Sequence, residues 1–397
     1  LGWDKCDTGH ICRHENLLHK SGHNAKILAM SLADLVQLGT EQAGTEYPAL
    51  HSMTVGEIVE AMNDYDKGVA EAVHRELASI EGAIEAIVER MSRGGRLIYV
   101  GAGTSGRLAV LDASECPPTF NANPDQVIGI IAGGEKALTS SIEGAEDSTE
   151  EAVRDMNALS LKSDDCVIGI AASGRTPYVI AALMEASQKN CLTVGISCNK
   201  ASSLSDITER NIEVDCGAEI LAGSTRLKAG TATKMILNMI STISMVKLGK
   251  VYMNLMVDLK VTNEKLHARA ISMIVNLVNV SEVVAEKALE EAEGSVRYAL
   301  VILMRKVPLS VAQEILFNNQ NDLEKIKRCQ YPSCRCSLGN PQLVARILRA
   351  RNSLCRCNSG CPRAHLTRIH YRICIASRNF SSHGGTFLPE SRIHRLP

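Results

Sequence analysis

The chain reads as an α/β protein with a doubly wound parallel sheet, preceded by helices and followed by a helical bundle. Three observations carry that reading. Short apolar runs without polar alternation recur at Leu97–Val100, Val127–Ala132, Cys166–Ala171, Leu192–Ser197 and Ile212–Val214, as in strands buried on both faces. Helical patterns lie between them, so each strand has a crossover long enough to return parallel to the last. The first strand ends in a Gly-rich turn that opens a helix, and sheets of this kind hold ligands outside the carboxyl ends of their strands.

Taken in order, apolar residues from Met53 to Met91 recur at helical spacing (Ile58, Met62, Val69, Val73, Leu77, Ile80, Ile84, Ile87) and predict two helices with a break near Asn63–Asp66. Arg93-Gly94-Gly95-Arg96 ends the second helix and turns into the first strand. Between strands, the pattern predicts helices over Ser148–Leu159, Pro177–Lys189 and Ala201–Glu209. Lys228–Leu248 reads as one long helix. Residues 263–327 read as a bundle with breaks at Gly294 and Pro308.

With 45% hydrophobic residues over 397 positions, the chain has the composition of a globular protein. Its net charge of −1 conceals an asymmetry. From position 328 onward there are twelve Arg, no Lys and one acid, Glu390, so this tail carries about +11 and the rest about −12. Seven of the fourteen cysteines also lie there, including Cys334-x-Cys336 and Cys355-x-Cys357-x3-Cys361. Only Cys357 to Cys361 has the spacing of a zinc half-site, and a nucleic-acid arm is the other functional reading of such a basic stretch. The absence of periodicity and the abrupt onset favour read-through or a shifted reading frame, and hence disorder. Residues 1–29, with four of the eleven His, read likewise as a non-native extension, with Met30 as the expected start. No signal peptide and no long apolar run is apparent, and the scattered body cysteines suit thiols in a reducing cytosol.

Three loops follow strand ends and carry anion-binding groups. The first, Gly101-Ala102-Gly103-Thr104-Ser105-Gly106-Arg107, combines the spacing Gly-x-Gly-x-x-Gly with two hydroxyls inside the turn. It lacks the Lys-Ser/Thr pair of a P-loop, and its hydroxyls distinguish it from a dinucleotide fingerprint. The unpaired amides of a helix start suit a phosphate there; a tight structural turn is the alternative. The second loop carries Ser173, Gly174, Arg175 and Thr176 before Pro177, a residue suited to a first helical turn. The third, Ala222–Thr231, adds Arg226 and Lys228. Two carboxylates stand out beside them. Glu115 precedes Pro117-Pro118, which are expected to stop the helix just after it. Glu146 lies where Asp147 or Ser148 would cap the next helix, so a structural role is as good a reading as a functional one. Two carboxylates near one phosphate floor would suit acid/base chemistry on a phosphorylated sugar.

From about Leu38 to Lys327 the chain resembles the N-acetylmuramic acid 6-phosphate etherases, which are built on the sugar isomerase (SIS) domain. The matching motifs are GRLIYVGAGTSGRLAVLDASECPPT, IAGGEKAL, EGAEDS, GIAASGRTPYV, TVGISCN, GSTRLKAGTATK and GKVYMNLMVDLKVTNEKLH. The glucokinase regulatory protein resembles the same family and binds sugar phosphates without turnover, but carries two SIS domains; this chain has room for one. The resemblance implies an SIS-type domain over 30–262 and a C-terminal helical domain over 263–327. It implies cleavage of the ether between C3 of the sugar and D-lactate by elimination, then hydration, with no cofactor and no metal. It places the proton donor on Glu115 and a second catalytic carboxylate on Glu146. Thr104, Ser105, Ser173, Gly174, Arg175, Thr176 and Lys228 become substrate contacts, with Glu264 and His267 as weaker candidates. A cytoplasmic homodimer acting on a small phosphorylated amino sugar is implied, with neither nucleic acid nor membrane as partner. A sugar-phosphate sensor and an aldose–ketose isomerase on the same scaffold are the competing functions. One departure is local: the family often has Arg-Asn shortly after its N-terminal Thr-Glu, where this chain has Ala43-Gly44 after Thr40-Glu41-Gln42.

Overall fold

The structure, a computed structural model, describes residues 38–328 apart from 260, 262, 320 and 321. The expectations for residues 1–29, for Met30 as the start and for the Arg- and Cys-rich tail beyond Arg328 fall outside the described residues.

Helix α1, Val55–Lys67, begins at Thr54, whose hydroxyl accepts the Glu57 amide while the Glu57 carboxylate accepts the Thr54 amide at 2.7 Å. This reciprocal cap closes two otherwise unpaired groups. The expected break at Asn63–Asp66 is absent. Those polar residues lie within the helix, where Asp64 pairs with Lys67, and the chain breaks instead at Gly68. Helices α2, Val69–His74, and α3, Leu77–Ser92, follow, so the segment holds three helices rather than two.

Five strands then form one sheet: β1 Leu97–Gly101, β2 Val127–Ile131, β3 Cys166–Ile170, β4 Leu192–Ser197 and β5 Arg210–Glu213. Their order is β2-β1-β3-β4-β5 and every pairing is parallel. All five expected strands are present, β5 beginning two residues early. Leu97 and Tyr99 of β1 pack into a core with α2, α3, α4 (Gly103–Phe120) and α8 (Lys228–Lys247). Ile98 and Val100, one residue out of phase, pack on the opposite face against α6 (Thr149–Ala158) and α7 (Pro177–Gln188). A short helix, α5 (Lys136–Thr139), follows β2. Two apolar layers on one sheet account for runs that never alternate with polar residues.

Two local expectations fail. Helix α4 continues through Pro117 and Pro118 to Phe120, then stops at Asn121 in the left-handed region, φ 48°. The prolines remove N–H donors only in the last turn, and Cys116 and Phe120 are buried on either side, so packing holds the turn without them. Residues 201–209 form turns, not a helix. The Glu213 carboxylate accepts the amides of Ala201 and Ser202 at 3.0 and 2.9 Å and the Ser205 hydroxyl, so these groups bond to β5 rather than along a helix.

Beyond the sheet lie α9 Glu264–Val278, α10 Glu282–Glu291, α11 Val296–Arg305, α12 Leu309–Asn318 and α13 Leu323–Arg328, with breaks at Gly294 and Pro308 as expected. They join the sheet domain through Asp258, which pairs with Arg297 of α11 at 2.7 Å and with Lys250 at 3.2 Å. Among the described residues no single helix is long and apolar enough to cross a membrane.

Candidate active site

Because all five strands are parallel, the three anion-binding loops lie at one end of the sheet. After β1 the chain leaves through α4 towards β2; after β3 it leaves through α7 towards β4. The strands flanking this reversal, β1 and β3, are neighbours, and their loops bound the crevice where doubly wound sheets bind ligands.

The β1–α4 turn is built tightly. A Cβ on Gly101 would lie 2.7 Å from the Gly106 amide, and one on Gly106 would lie 2.6 Å from Ile131 Cγ1, so both must be glycine for helix and strand to meet. No side chain caps α4; its first intrahelical bond runs from Gly106 N to Ala102 O. The amides of Gly103, Thr104 and Ser105 therefore face the crevice with the two hydroxyls, a cluster of donors suited to phosphate oxygens. At α8 the same position is already filled: the buried Glu219 carboxylate accepts the amides of Lys228 and Ala229 at 3.0 and 2.9 Å. Of these two helix starts, one holds the protein's own carboxylate and the other is open to an external anion.

The second loop is shaped by Gly174, at φ 70°, where a Cβ would lie 2.3 Å from Ser202 Cβ. Arg175 Nε is buried without a hydrogen-bond partner, and the Arg175 amide donates to Ser173 Oγ at 3.2 Å. Thr176 precedes α7, which packs against the turn Ala145–Asp147 that carries Glu146. Glu146 and Gly103 line one cavity of about 300 Å³, together with Arg107. Arg107 fixes its wall, donating to Leu138 O at 3.2 Å and Ser140 O at 3.1 Å. Thr104 sits against the first turn of α8, its methyl 3.5 Å from where a Gly230 Cβ would be, so the first and third loops also meet.

Other expected members lie apart. Glu115 is exposed on α4, roughly 16 Å along the helix from Thr104. Glu146 lines the Gly103 cavity, whereas Glu115 lies towards the far end of α4. Lys228 is buried and its ammonium lies 4.4 Å from the Tyr65 ring centroid, in a different cavity of about 830 Å³. Ala43 and Gly44 line that cavity, and a Cβ on Gly44 would meet the Tyr65 hydroxyl at 2.4 Å. Glu264 and the half-buried His267 lie on α9.

Sequence reasoning missed Asn199 and Glu219. Asn199 Nδ2 donates to Ala172 O of the second loop at 2.9 Å and to Thr40 Oγ1 at 3.0 Å, while Thr40 N donates to Asn199 Oδ1. The N-terminal segment is thereby docked at the same end of the sheet, and Gly223 N donates to Thr40 O. The buried side chains of Thr40 and Glu219 are polar residues in non-periodic stretches, which offer no pattern to read.

An open helix start and a cavity lined by Gly103, Arg107 and Glu146, at the switch of a doubly wound sheet, form an arrangement suited to an anionic ligand in an α/β protein. Family models agree: an SIS domain matches residues 145–243, the glucokinase regulatory protein N-terminal SIS domain matches 79–187, and the C-terminal lid domain of that protein matches 253–294. The N-acetylmuramic acid 6-phosphate etherase 1 of Bacillus licheniformis is 47% identical over 296 residues, 75% of this chain and 97% of the relative. The N-acetylmuramic acid 6-phosphate etherase of Geobacillus thermodenitrificans is 50% identical over 282 residues, 71% of this chain and 96% of the relative. Etherase 2 of Enterococcus faecalis is 50% identical over 288 residues. The chain belongs to the N-acetylmuramic acid 6-phosphate etherase family.

Proposed function

We propose that the chain cleaves N-acetylmuramic acid 6-phosphate to N-acetylglucosamine 6-phosphate and D-lactate, in the cytoplasm and within amino-sugar catabolism. The observation that carries this reading is identity of 47–50% to etherases across nearly their whole length. The open start of α4 supports it. The 6-phosphate binds the amides of Gly103–Ser105 with the hydroxyls of Thr104, Ser105, Ser173 and Thr176, and Arg175 supplies the cation. In the open-chain sugar the aldehyde makes the C2 proton acidic. Glu146, on the wall of the Gly103 cavity, takes that proton, lactate leaves from C3, and water adds to the unsaturated intermediate.

Glu115 acts in this scheme as the proton donor across a homodimer boundary. A second copy would bring it to the phosphate turn, and Leu111, one turn before it, is exposed on the same face of α4. Ile243 and Val246 of α8 are exposed too, and the Asp112–Ser241 hydrogen bond ties that part of α8 to this part of α4. Glu115→Gln should lower lactate release by roughly 10² to 10⁴ while leaving sugar-phosphate binding intact. Mixing Glu115→Gln with Arg175→Ala subunits should restore activity, because one site of the hybrid then has both groups. No restoration in a confirmed hybrid would place Glu115 outside the partner's site. The separation of Glu115 from the cavity also suits a sugar-phosphate sensor; that reading predicts stabilisation by the ligand with no lactate formed.

A further inference from the structure

The cavity lined by Gly103 and Glu146 also holds a cation that the scheme above leaves without a role. Arg107 lies one turn into α4, about 6 Å along the axis from Gly103, and is half-buried. Its Nε donates to Leu138 O at 3.2 Å and its Nη2 to Ser140 O at 3.1 Å, so two backbone carbonyls hold the guanidinium in one orientation. They fix its position without cancelling its charge. Among the described residues, Arg93, Arg96, Arg154 and Arg297 each pair with a carboxylate, whereas no ion pair includes Arg107 and its Nη1 makes no hydrogen bond. Glu143 and Glu146 line the same cavity, and neither is paired with it.

We propose that Arg107 binds the lactyl carboxylate of the substrate and thereby separates lactyl ethers from other sugar phosphates. The proposal rests on the etherase reading above, whose substrate carries two anions. The open start of α4 takes the phosphate. The second anion enters a cavity walled by Glu143 and Glu146, which repel it. A guanidinium already held in place offsets that repulsion, and its free Nη edge meets a carboxylate with planar, charge-assisted hydrogen bonds. A sugar phosphate without the lactyl group gains nothing from this contact, so the preference arises from the carboxylate alone.

Lys228 is the rival cation at this end of the sheet. It lies over the Tyr65 ring in a cavity that neither Gly103 nor Glu146 lines. Arg107 shares its cavity with both. A ligand held by its phosphate at Gly103–Ser105 and by its carboxylate at Arg107 is fixed at two points in the cavity of the group that takes the C2 proton.

The test measures binding to the full chain by calorimetry, with two ligands reduced at C1. N-acetylmuramitol 6-phosphate and N-acetylglucosaminitol 6-phosphate have no aldehyde to acidify C2, so neither is turned over, and they differ only in the lactyl group. The parent should prefer the lactyl ligand by roughly 10- to 100-fold, the worth of a hydrogen-bonded charge pair. Arg107→Gln should erase that preference while binding N-acetylglucosaminitol 6-phosphate as the parent does, and Arg107→Lys should keep part of it. The methyl ester of the lactyl carboxyl should lose the same factor on the parent, a measurement that needs no variant to fold. Equal weakening of both ligands in Arg107→Gln would make the residue a wall support only and overturn the proposal. A preference that survives Arg107→Gln, an ester bound as tightly as the acid, or a parent that shows no preference also overturns it. A parent that prefers the lactyl ligand but releases no lactate from N-acetylmuramic acid 6-phosphate overturns the etherase reading alone.

Discussion

Replacing Asp112 with asparagine should stabilise the protein at neutral pH and not in acid. Asp112 lies on α4 between Tyr99 of β1 and Ser241 of α8. Its Oδ1 accepts the Ser241 hydroxyl at 3.0 Å, while Oδ2 and the neighbouring Tyr99 hydroxyl are both buried without a hydrogen bond of good geometry. Burial pushes the carboxyl from 3.8 up to about 6, and the nearby Tyr99 and Ser241 hydroxyls and the Lys234 charge offset only part of that rise. At about 1.4 kcal/mol per pK unit, the shift corresponds to roughly 3 kcal/mol against the ionised form, or about 1–3 kcal/mol after allowing for partial solvent contact. The sign follows from linkage. With a folded-state pKa above the unfolded one, the group's contribution is fully present below about pH 4 and is lost as pH rises through about 6. Asparagine keeps the acceptor for Ser241 and places an N–H₂ donor in the position of Oδ2. Thermal unfolding of parent and Asp112→Asn across this range should show equal midpoints in acid and a growing advantage for the variant above about pH 6. A variant less stable than the parent at neutral pH, or a difference independent of pH, would refute the reasoning.

Three further outcomes follow from the geometry. Gly174→Ala forces a left-handed residue and a Cβ 2.3 Å from Ser202 Cβ, so it should cost more than about 1 kcal/mol and weaken stabilisation by sugar phosphate, both read from melting curves. Arg96→Leu leaves Asp165, 1% exposed, with only the Arg96 and Lys162 amides, and should lower stability by about 3–5 kcal/mol in urea unfolding. A chain trimmed to Met30–Lys327 should release lactate at the rate of the full chain in a direct comparison.

Much of this architecture is legible in the residues themselves. The strands β1, β3 and β4 are short, apolar and flanked by crossovers, and burial on both faces leaves them little alternative. The α4 start is legible because Gly101, Gly103 and Gly106 mark a tight turn from strand to helix and two hydroxyls sit inside it. What fails depends on distant partners. Residues 201–209 have helical periodicity, yet Glu213 takes their amides from another strand. Pro117 and Pro118 break a helix on local grounds, yet burial of Cys116 and Phe120 carries the turn past them. Glu115 is recognisable by its motif, and the run from the Gly-rich turn already sets it one helix length away, as α4 bears out. Glu219 and Asn199 act through hydrogen bonds to residues distant in sequence, and neither leaves a pattern.

The most direct test of the central claim is to incubate the reduced full chain with N-acetylmuramic acid 6-phosphate in deuterated water and follow lactate and the sugar product by mass spectrometry and NMR. Elimination and hydration predict equal amounts of D-lactate and N-acetylglucosamine 6-phosphate, with deuterium at C2 of the product. Lactate released without deuterium at C2, or interconversion of phosphosugars with the ether intact, would contradict it.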